Sequence, residues 1–175
     1  MKRNDESPPP FQTVYETVFP LIVRVVYKIT GNMDTAEELC QEAFIRYYER
    51  RDRLPDVDQA KYWLIRVAKN LALNHQKRKG REYRAYERSY FEPKHIDDSA
   101  ETGLMKEESH EAVRVALNKL PENLRIVLIL KEYGELSYRE ISSILSISEG
   151  NVKVRAYRAR EKLAQFLKDG DVYVP

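Results

Sequence analysis

Lys153, Arg155, Arg158 and Arg160 crowd one stretch of the chain, Leu136 to Leu163, which reads LSYREISSILSISEGNVKVRAYRAREKL. Ammonium and guanidinium groups neutralise phosphate, and a guanidinium also reads a guanine edge through two parallel hydrogen bonds. For that chemistry the groups must project from one rigid face. The spacing supplies it: Val152, Ala156, Ala159 and Leu163 recur at helical period and turn inward. Val154, Tyr157, Arg158 and Glu161 then point outward, with Lys153, Arg155 and Arg160 at the flanks. Just before this helix, Ser137 and Glu140 have the S-x-x-E form of a capping box, which opens a shorter helix carrying Ile141, Ile144 and Leu145 on one side. Ser148 is placed to cap the second helix. Two short helices joined by a tight turn, the second cationic, fit a helix-turn-helix that lays its second helix in a major groove. The competing reading is an ordinary solvated helix with its arginines in water.

The remainder of the chain must position that unit. With 175 residues, 42% of them hydrophobic, it has material for one domain or two small ones. Net charge is only +2, but the charges are segregated. Acids gather in Asp34 to Glu42 and from Asp97 to Glu111, and bases in Lys69 to Arg88 and Lys153 to Lys162. The basic blocks suit phosphate, the acidic ones a basic partner or water. No apolar run approaches the roughly 20 residues of a membrane span, and the start, MKRNDESPPP, lacks the apolar core of a signal peptide. The expectation is a cytoplasmic protein without membrane insertion. The single cysteine, Cys40, excludes an internal disulfide and sits among apolar helical positions, which predicts a buried thiol. His75, His95 and His110 have no cysteine or carboxylate at metal-ligand spacing, and no glycine-rich phosphate loop occurs. The chain is therefore read as no enzyme, with no metal and no cofactor.

Helical periodicity dominates and predicts an all-α fold: two small helical domains joined by a flexible linker, the C-terminal one a helix-turn-helix. Phe11, Val14, Val18, Ile22, Val25 and Ile29 mark one face of a first helix, in which Pro20 is expected to force a kink or restart, and Gly31 and Asn32 end it. Asp34, with Glu37 three residues on, is the expected cap of a second helix that buries Leu39, Cys40, Ala43, Phe44 and either Tyr47 or Tyr48. Leu54 to Asp58 reads as a loop. A third helix from about Gln59 turns Leu64, Val67, Ala68 and Leu71 inward and ends, after Lys77, Arg78 and Lys79, at Gly80. Residues 81–108 lose the period and read as a linker whose start is compatible with helix. A fourth helix begins near Ser109 and stops at Pro121. A fifth, rich in Leu124, Val127, Leu128 and Leu130, ends at Gly134. The domains are thus 11–80 and 109–168, and the first ten residues and the tail from Gly170 are expected to be poorly ordered.

Four segments in this order, GNMDTAEELCQEAFIRYYER, KYWLIRVAKNLALNHQKRK, LPENLRIVLILKEYGELSYREISSIL and SISEGNVKVRAYRAREKL, resemble bacterial RNA polymerase sigma factors of the extracytoplasmic-function (ECF) group of the sigma-70 family. The similarity runs from about Phe11 to Leu167. It implies a first domain of the region 2 type, which docks on core polymerase and recognises and melts the minus-ten element. The second domain would be of the region 4 type and would recognise the minus-thirty-five element. Partners implied are core polymerase, promoter DNA and an anti-sigma factor.

By the same resemblance, Asp34, Glu37, Glu38, Gln41 and Glu42 match D-x-x-AEEL-x-QE-x-F, the helix that docks on the clamp of the largest polymerase subunit. A solvated acidic surface is the plainer alternative. Trp63, Arg66, Asn70, Lys77, Arg78 and Lys79 fall in the melting and minus-ten segment, with His75 among them. The pocket for a flipped base is implied for the loop Leu54 to Gln59 and the helix bearing Asn70, whose amide suits a base edge. Trp63 is open to two readings, core aromatic or stacking platform. Arg158 is assigned to a base, Tyr157 to a base edge or sugar, and Lys153, Arg155 and Arg160 to phosphates. Val154 stands where relatives have a small polar residue and offers only apolar contact, as to a thymine methyl. Asn74 stands where relatives usually have aspartate. Arg125, Leu128 and Tyr133 lie where the family meets the flap of the other large subunit, although Leu128 suits a core equally.

Another class of function fits the second half alone: a stand-alone helix-turn-helix regulator whose first domain binds a ligand or partner. The first half discriminates, since Asp34 to Lys79 carries an acidic helix and then a basic, tryptophan-bearing one rather than a sensing core. An RNA-binding adaptor would need aromatic residues on a strand platform, and none is read here.

Overall fold

The computed structural model describes residues 8–89 and 104–169. His95, the start of the second acidic block, residues 90–103 of the linker, the first seven residues and the tail from Gly170 lie outside them. The described residues form seven α-helices and no strand: α1 Phe11–Thr30, α2 Met33–Arg50, α3 Val57–Ser89, α4 Leu104–Lys119, α5 Glu122–Glu132, α6 Tyr138–Leu145 and α7 Glu149–Asp169, with a 3-10 turn at Arg51–Arg53.

The apolar periods read from the sequence become the packing faces. Val14, Val18, Ile22, Val25 and Ile29 of α1 are buried against α2 and α3, which contribute Leu39, Cys40, Ala43, Phe44, Tyr47, Leu64, Ile65 and Ala68. Burial pushes the Cys40 thiol up to about 12, with Glu37 adding to the effect, so the thiol is an inert small apolar group. In the other half α7 packs on α4, α5 and α6. Leu128 is core, packed with Leu117, Leu120, Leu124 and Ala159.

Three local expectations change. Pro20 does not restart the helix, since α1 is one helix through it. Pro20 is exposed, so the Glu16 carbonyl that loses its donor faces the solvent side, where its loss costs least. The cap of α2 is Asn32, not Asp34: Asn32 Oδ1 accepts from Thr35 N at 2.8 Å. Gly80 does not end α3, which continues to Ser89, braced by Arg84 Nε on Gly80 O at 3.1 Å and the Arg78–Glu82 pair at 3.7 Å. Gly31 does close α1, at φ 73°, a conformation that favours glycine.

Of the two adjacent tyrosines, Tyr47 is buried and Tyr48 is 55% exposed. The Tyr47 hydroxyl has no hydrogen-bond partner among the described residues. A buried hydroxyl without a partner forfeits its hydration for no return. Tyr47→Phe is therefore expected to be neutral or stabilising by up to about 1 kcal/mol in chemical denaturation. A clear loss of stability would mean that the hydroxyl has a partner.

Candidate nucleic-acid and polymerase interfaces

The helix-turn-helix is built as its spacing implies. Ser137 Oγ accepts from Glu140 N at 3.2 Å and the Glu140 carboxylate accepts from Ser137 N at 2.8 Å, which closes the capping box of α6. The turn passes through Ser146 in left-handed conformation, φ 55°, and Ser148 Oγ accepts from Asn151 N at 3.2 Å to start α7. Val152, Ala156 and Ala159 are fully buried and fix the roll of α7. Val154, Tyr157 and Arg158 consequently face outward, Tyr157 with 62% of its surface exposed.

The cations of α7 are held to different degrees. Arg158 is exposed and has no ion-pair partner among the described residues. Lys153 pairs with Glu149 at 3.0 Å, and Arg155 Nε donates to Asn151 Oδ1 at 2.9 Å, both within one exposed turn. Such contacts are weak and exchange readily for phosphate. Tyr157 donates to Glu161 at 2.8 Å, which pushes its phenol up. Arg160 is the exception. Its guanidinium meets Glu132 at 2.6 Å and Tyr138 Oη at 3.4 Å, and so braces α7 against α5 and α6. A phosphate at Arg160 has to displace Glu132.

On α2, Asp34, Glu37, Glu38 and Gln41 are exposed, and Glu42 is half-exposed in a pair with Arg46 at 2.5 Å. The same face continues into two residues that sequence reasoning missed. Ile45 is 62% and Tyr48 55% exposed, one and two helical steps beyond Gln41 along the stripe Asp34, Glu38, Gln41, Ile45, Tyr48. The spacing of this stripe is the signal that could have found them. Polar residues at one end and a large apolar pair at the other make a typical docking surface.

The expected minus-ten residues separate into two places. Trp63, with Val67, lines a cleft of about 550 Å³ whose other walls are Arg46, Glu49, Arg50 and Arg53. Trp63 also packs against the core, as the first of its two readings has it. Three guanidiniums beside an indole suit stacking of an unpaired base with its phosphates held. The arginines were not singled out from the sequence, although the run RYYERRDR beside the loop carries them. Leu54 is buried and anchors that loop, its N–H bonded to Arg51 O at 3.0 Å, and Asp56 Oδ1 caps α3 by accepting from Gln59 N at 2.7 Å. Asn70 is exposed farther along α3. Arg66 turns away, toward α6. Lys79 lies elsewhere, with His75, Gln76 and Arg125 on a crevice of about 410 Å³. Lys77 pairs with Glu122 at 3.3 Å, and Arg78 with Glu82.

Comparison with known proteins bears on the family and the fold. Residues 14–82 match the family model for sigma-70 region 2 and residues 110–163 that for sigma-70 region 4. The chain is 30% identical to the ECF RNA polymerase sigma factor SigW of Bacillus subtilis over 97% of this chain and 94% of that one. It is 33% identical to the RNA polymerase sigma-H factor of Pseudomonas aeruginosa, over 86% of this chain and 80% of that one. The fold superposes on the sigma factor RpoE solved with the anti-sigma factor NepR from Bartonella quintana, with TM-score 0.68 and 24% identity over 90% of this chain and 96% of that one. It also superposes on CnrH, solved with the cytosolic domain of CnrY, with TM-score 0.65 and 20% identity over 92% and 88% of the two chains. With both regions matched in order and relatives aligned over nearly its whole length, the chain belongs to the ECF group of sigma-70 family RNA polymerase sigma factors.

Proposed function

We propose that this sigma factor holds core polymerase through the exposed stripe of α2, reads the minus-thirty-five element with α7, and opens and holds the minus-ten element at the Trp63 cleft. The polymerase performs the chemistry, and the chain contributes placement. The outward face of α7 is the observation that carries the reading: exposed Arg158 and Tyr157 on a helix whose roll is fixed by buried alanines. Phosphate contacts supply salt-dependent affinity, and a few base contacts supply selection. The cytoplasm, where polymerase resides, is the expected compartment, and no described helix is long and apolar enough to cross a membrane. The relative solved with an anti-sigma factor supports a protein inhibitor for this chain as well.

Run-off transcription with bacterial core polymerase on a pool of promoter fragments tests the reading. Initiation at a discrete subset only when the protein is added is the expected result. Arg158→Ala should then weaken a cognate upstream duplex by about 1–3 kcal/mol while sparing random DNA. Equal losses on both would remove the base-reading role. If no fragment responds and the chain fails to co-migrate with core enzyme, the stand-alone regulator becomes the better account.

A further inference from the structure

The crevice of about 410 Å³ lies between α3 and the ends of α1, α4 and α5, and its first α3 residue, His75, is about 18 Å along the helix from Trp63. Arg125, Lys79 and His75 line it, and no carboxylate does among the described residues. Charge there is unmatched. Arg125 is half-buried and its acceptors are neutral: Nη2 donates to Gln76 Oε1 at 3.1 Å and Nη1 to Asn118 Oδ1 at 3.3 Å, while Nε is buried without a partner. A guanidinium withdrawn from water is costly unless an anion faces it. Burial accordingly lowers the Arg125 pKa, and the carboxylate that opposes the shift, Glu122, is already paired with Lys77 at 3.3 Å. Shape is fixed as well as charge. Gln76 donates from Nε2 to Ile29 O at the end of α1, which turns its amide oxygen to Arg125 and holds the guanidinium in place. Each terminal nitrogen of Arg125 keeps one N–H beyond these bonds, a fork that fits phosphate. Glycine weakens a helix interior, and at Gly80 it leaves the α3 wall open: a Cβ there would meet nothing within 4 Å. Tyr83, one turn on, presents a ring 39% exposed to the same crevice.

We infer that this crevice is a binding site for a small phosphorylated molecule, with its phosphate groups on Arg125 and Lys79 and the rest of it passing Gly80 toward Tyr83. None of these residues belongs to the α2 stripe, the outward face of α7 or the Trp63 cleft. The volume of about 410 Å³ lies within the range of roughly 300–1,000 Å³ that small-molecule sites span, so the crevice has room for a ligand of nucleotide size. The donors are graded. Arg125 supplies a planar, half-buried fork for one phosphate, Lys79 an exposed ammonium that follows a second, and His75 a half-buried ring nitrogen beside them. A phosphate seated there gives the Arg125 guanidinium the anion that its amide partners do not. Because the walls come from four helices, an occupant that touches several of them stabilises the folded chain by mass action.

Isothermal titration of the full chain with ADP, pyrophosphate and adenosine, in chloride buffer without divalent cations, tests the site. ADP and pyrophosphate should each bind one to one, and adenosine should not, since the phosphates carry recognition. The ratio of the first two affinities separates a nucleotide from a simple phosphate compound as the occupant, and either keeps the site. Arg125→Met should weaken both by roughly 10-fold or more, the loss of one charge-assisted fork. Gly80→Leu keeps every cation and fills the open wall, so it should weaken ADP at least as much, and it carries the test if Arg125→Met folds poorly. Arg53→Ala, in the Trp63 cleft, should leave the affinity for ADP as it is. At about ten times its dissociation constant ADP should raise the melting temperature of the wild type by roughly 3–6 °C, and that of Gly80→Leu by less than about 1 °C. Failure of ADP and pyrophosphate to bind, or adenosine binding as tightly as ADP, would overturn the site. Affinity that survives Gly80→Leu but falls in Arg53→Ala would overturn it by moving the ligand to the Trp63 cleft. Displacement of ADP by an unrelated duplex, with the same dependence on Arg125, would give the crevice to the DNA backbone instead.

Discussion

Replacing Ile45 and Tyr48 together by serine is expected to weaken core polymerase binding by roughly 100-fold or more, about 3 kcal/mol, with little change in thermal stability. Two large apolar side chains that are more than half exposed in the free chain contribute little to its folding. Buried at the centre of an interface, each is worth about 1.5–3 kcal/mol. Tyr48 does have neighbours, Arg51 at 4.4 Å over its ring and Phe11 edge-on at 5.7 Å, so a stability loss below about 1 kcal/mol is expected from that residue. The acids of the same stripe should behave differently. Neutralising Asp34 and Glu38 should slow association and flatten its salt dependence, with a smaller effect on dissociation. Titration of labelled protein with core enzyme at two salt concentrations separates the two contributions. Wild-type affinity in the serine double variant would show that this stripe faces water.

What the sequence made legible was local. Ser137 and Glu140 are three residues apart, and Val152, Ala156 and Ala159 recur within two turns, so the helix-turn-helix and the roll of α7 follow from neighbours that act on each other directly. Tyr47 and Tyr48 were not separable, because adjacent residues on a helix point about 100° apart and the core margin falls between them. Pro20 was read as a kink or restart and Gly80 as a helix end because each disfavours helix on average. Their surroundings reverse the outcome: Pro20 directs its lost hydrogen bond to the solvent side, and Gly80 is held between the Arg78–Glu82 pair and the Arg84 bond. Asn32 and Asp34 are both cap formers two positions apart, and only the bond to Thr35 N distinguishes them. The contact between Lys61 and Glu140 was beyond reach for another reason. Lys61 and Glu140 are 79 positions apart, and in a chain with 30 basic and 28 acidic residues nothing in the order of charges singles out that pair. Arg66 is the instructive case, since its type and position matched a nucleic-acid role while its observed partners are carbonyls of the other half.

Two glycine-to-alanine changes should move stability in opposite directions, although both add a single methyl group. Gly134 follows α5, its N–H bonded to Ile129 O at 3.1 Å, and leads through Glu135 at φ 53° into α6. A Cβ at Gly134 would stand 2.6 Å from Leu130 O, a backbone atom inside a helix that cannot retreat without loosening α5. Leu130 and Leu136, on either side of the turn, are both buried, so the shift would pass into the core beneath the helix-turn-helix. Overpacking of this kind costs roughly 2–3 kcal/mol, which for a chain of this size lowers the melting temperature by about 4–12 °C. At Gly80 a Cβ meets nothing within 4 Å, and the residue lies inside α3. Alanine there limits the unfolded chain and favours helix, a gain of about 0.5–1 kcal/mol. Calorimetry of both variants tests the pair. The sign at Gly134 bears on function, because displacing α5 from α6 moves the support on which α7 presents Arg158, and upstream-element binding should fall with the melting temperature. At Gly80 stability should rise while upstream binding stays constant. A Gly80→Ala variant that melts earlier would mean that α3 does end near Gly80, and a harmless Gly134→Ala would mean that the turn into α6 has room its backbone does not reveal.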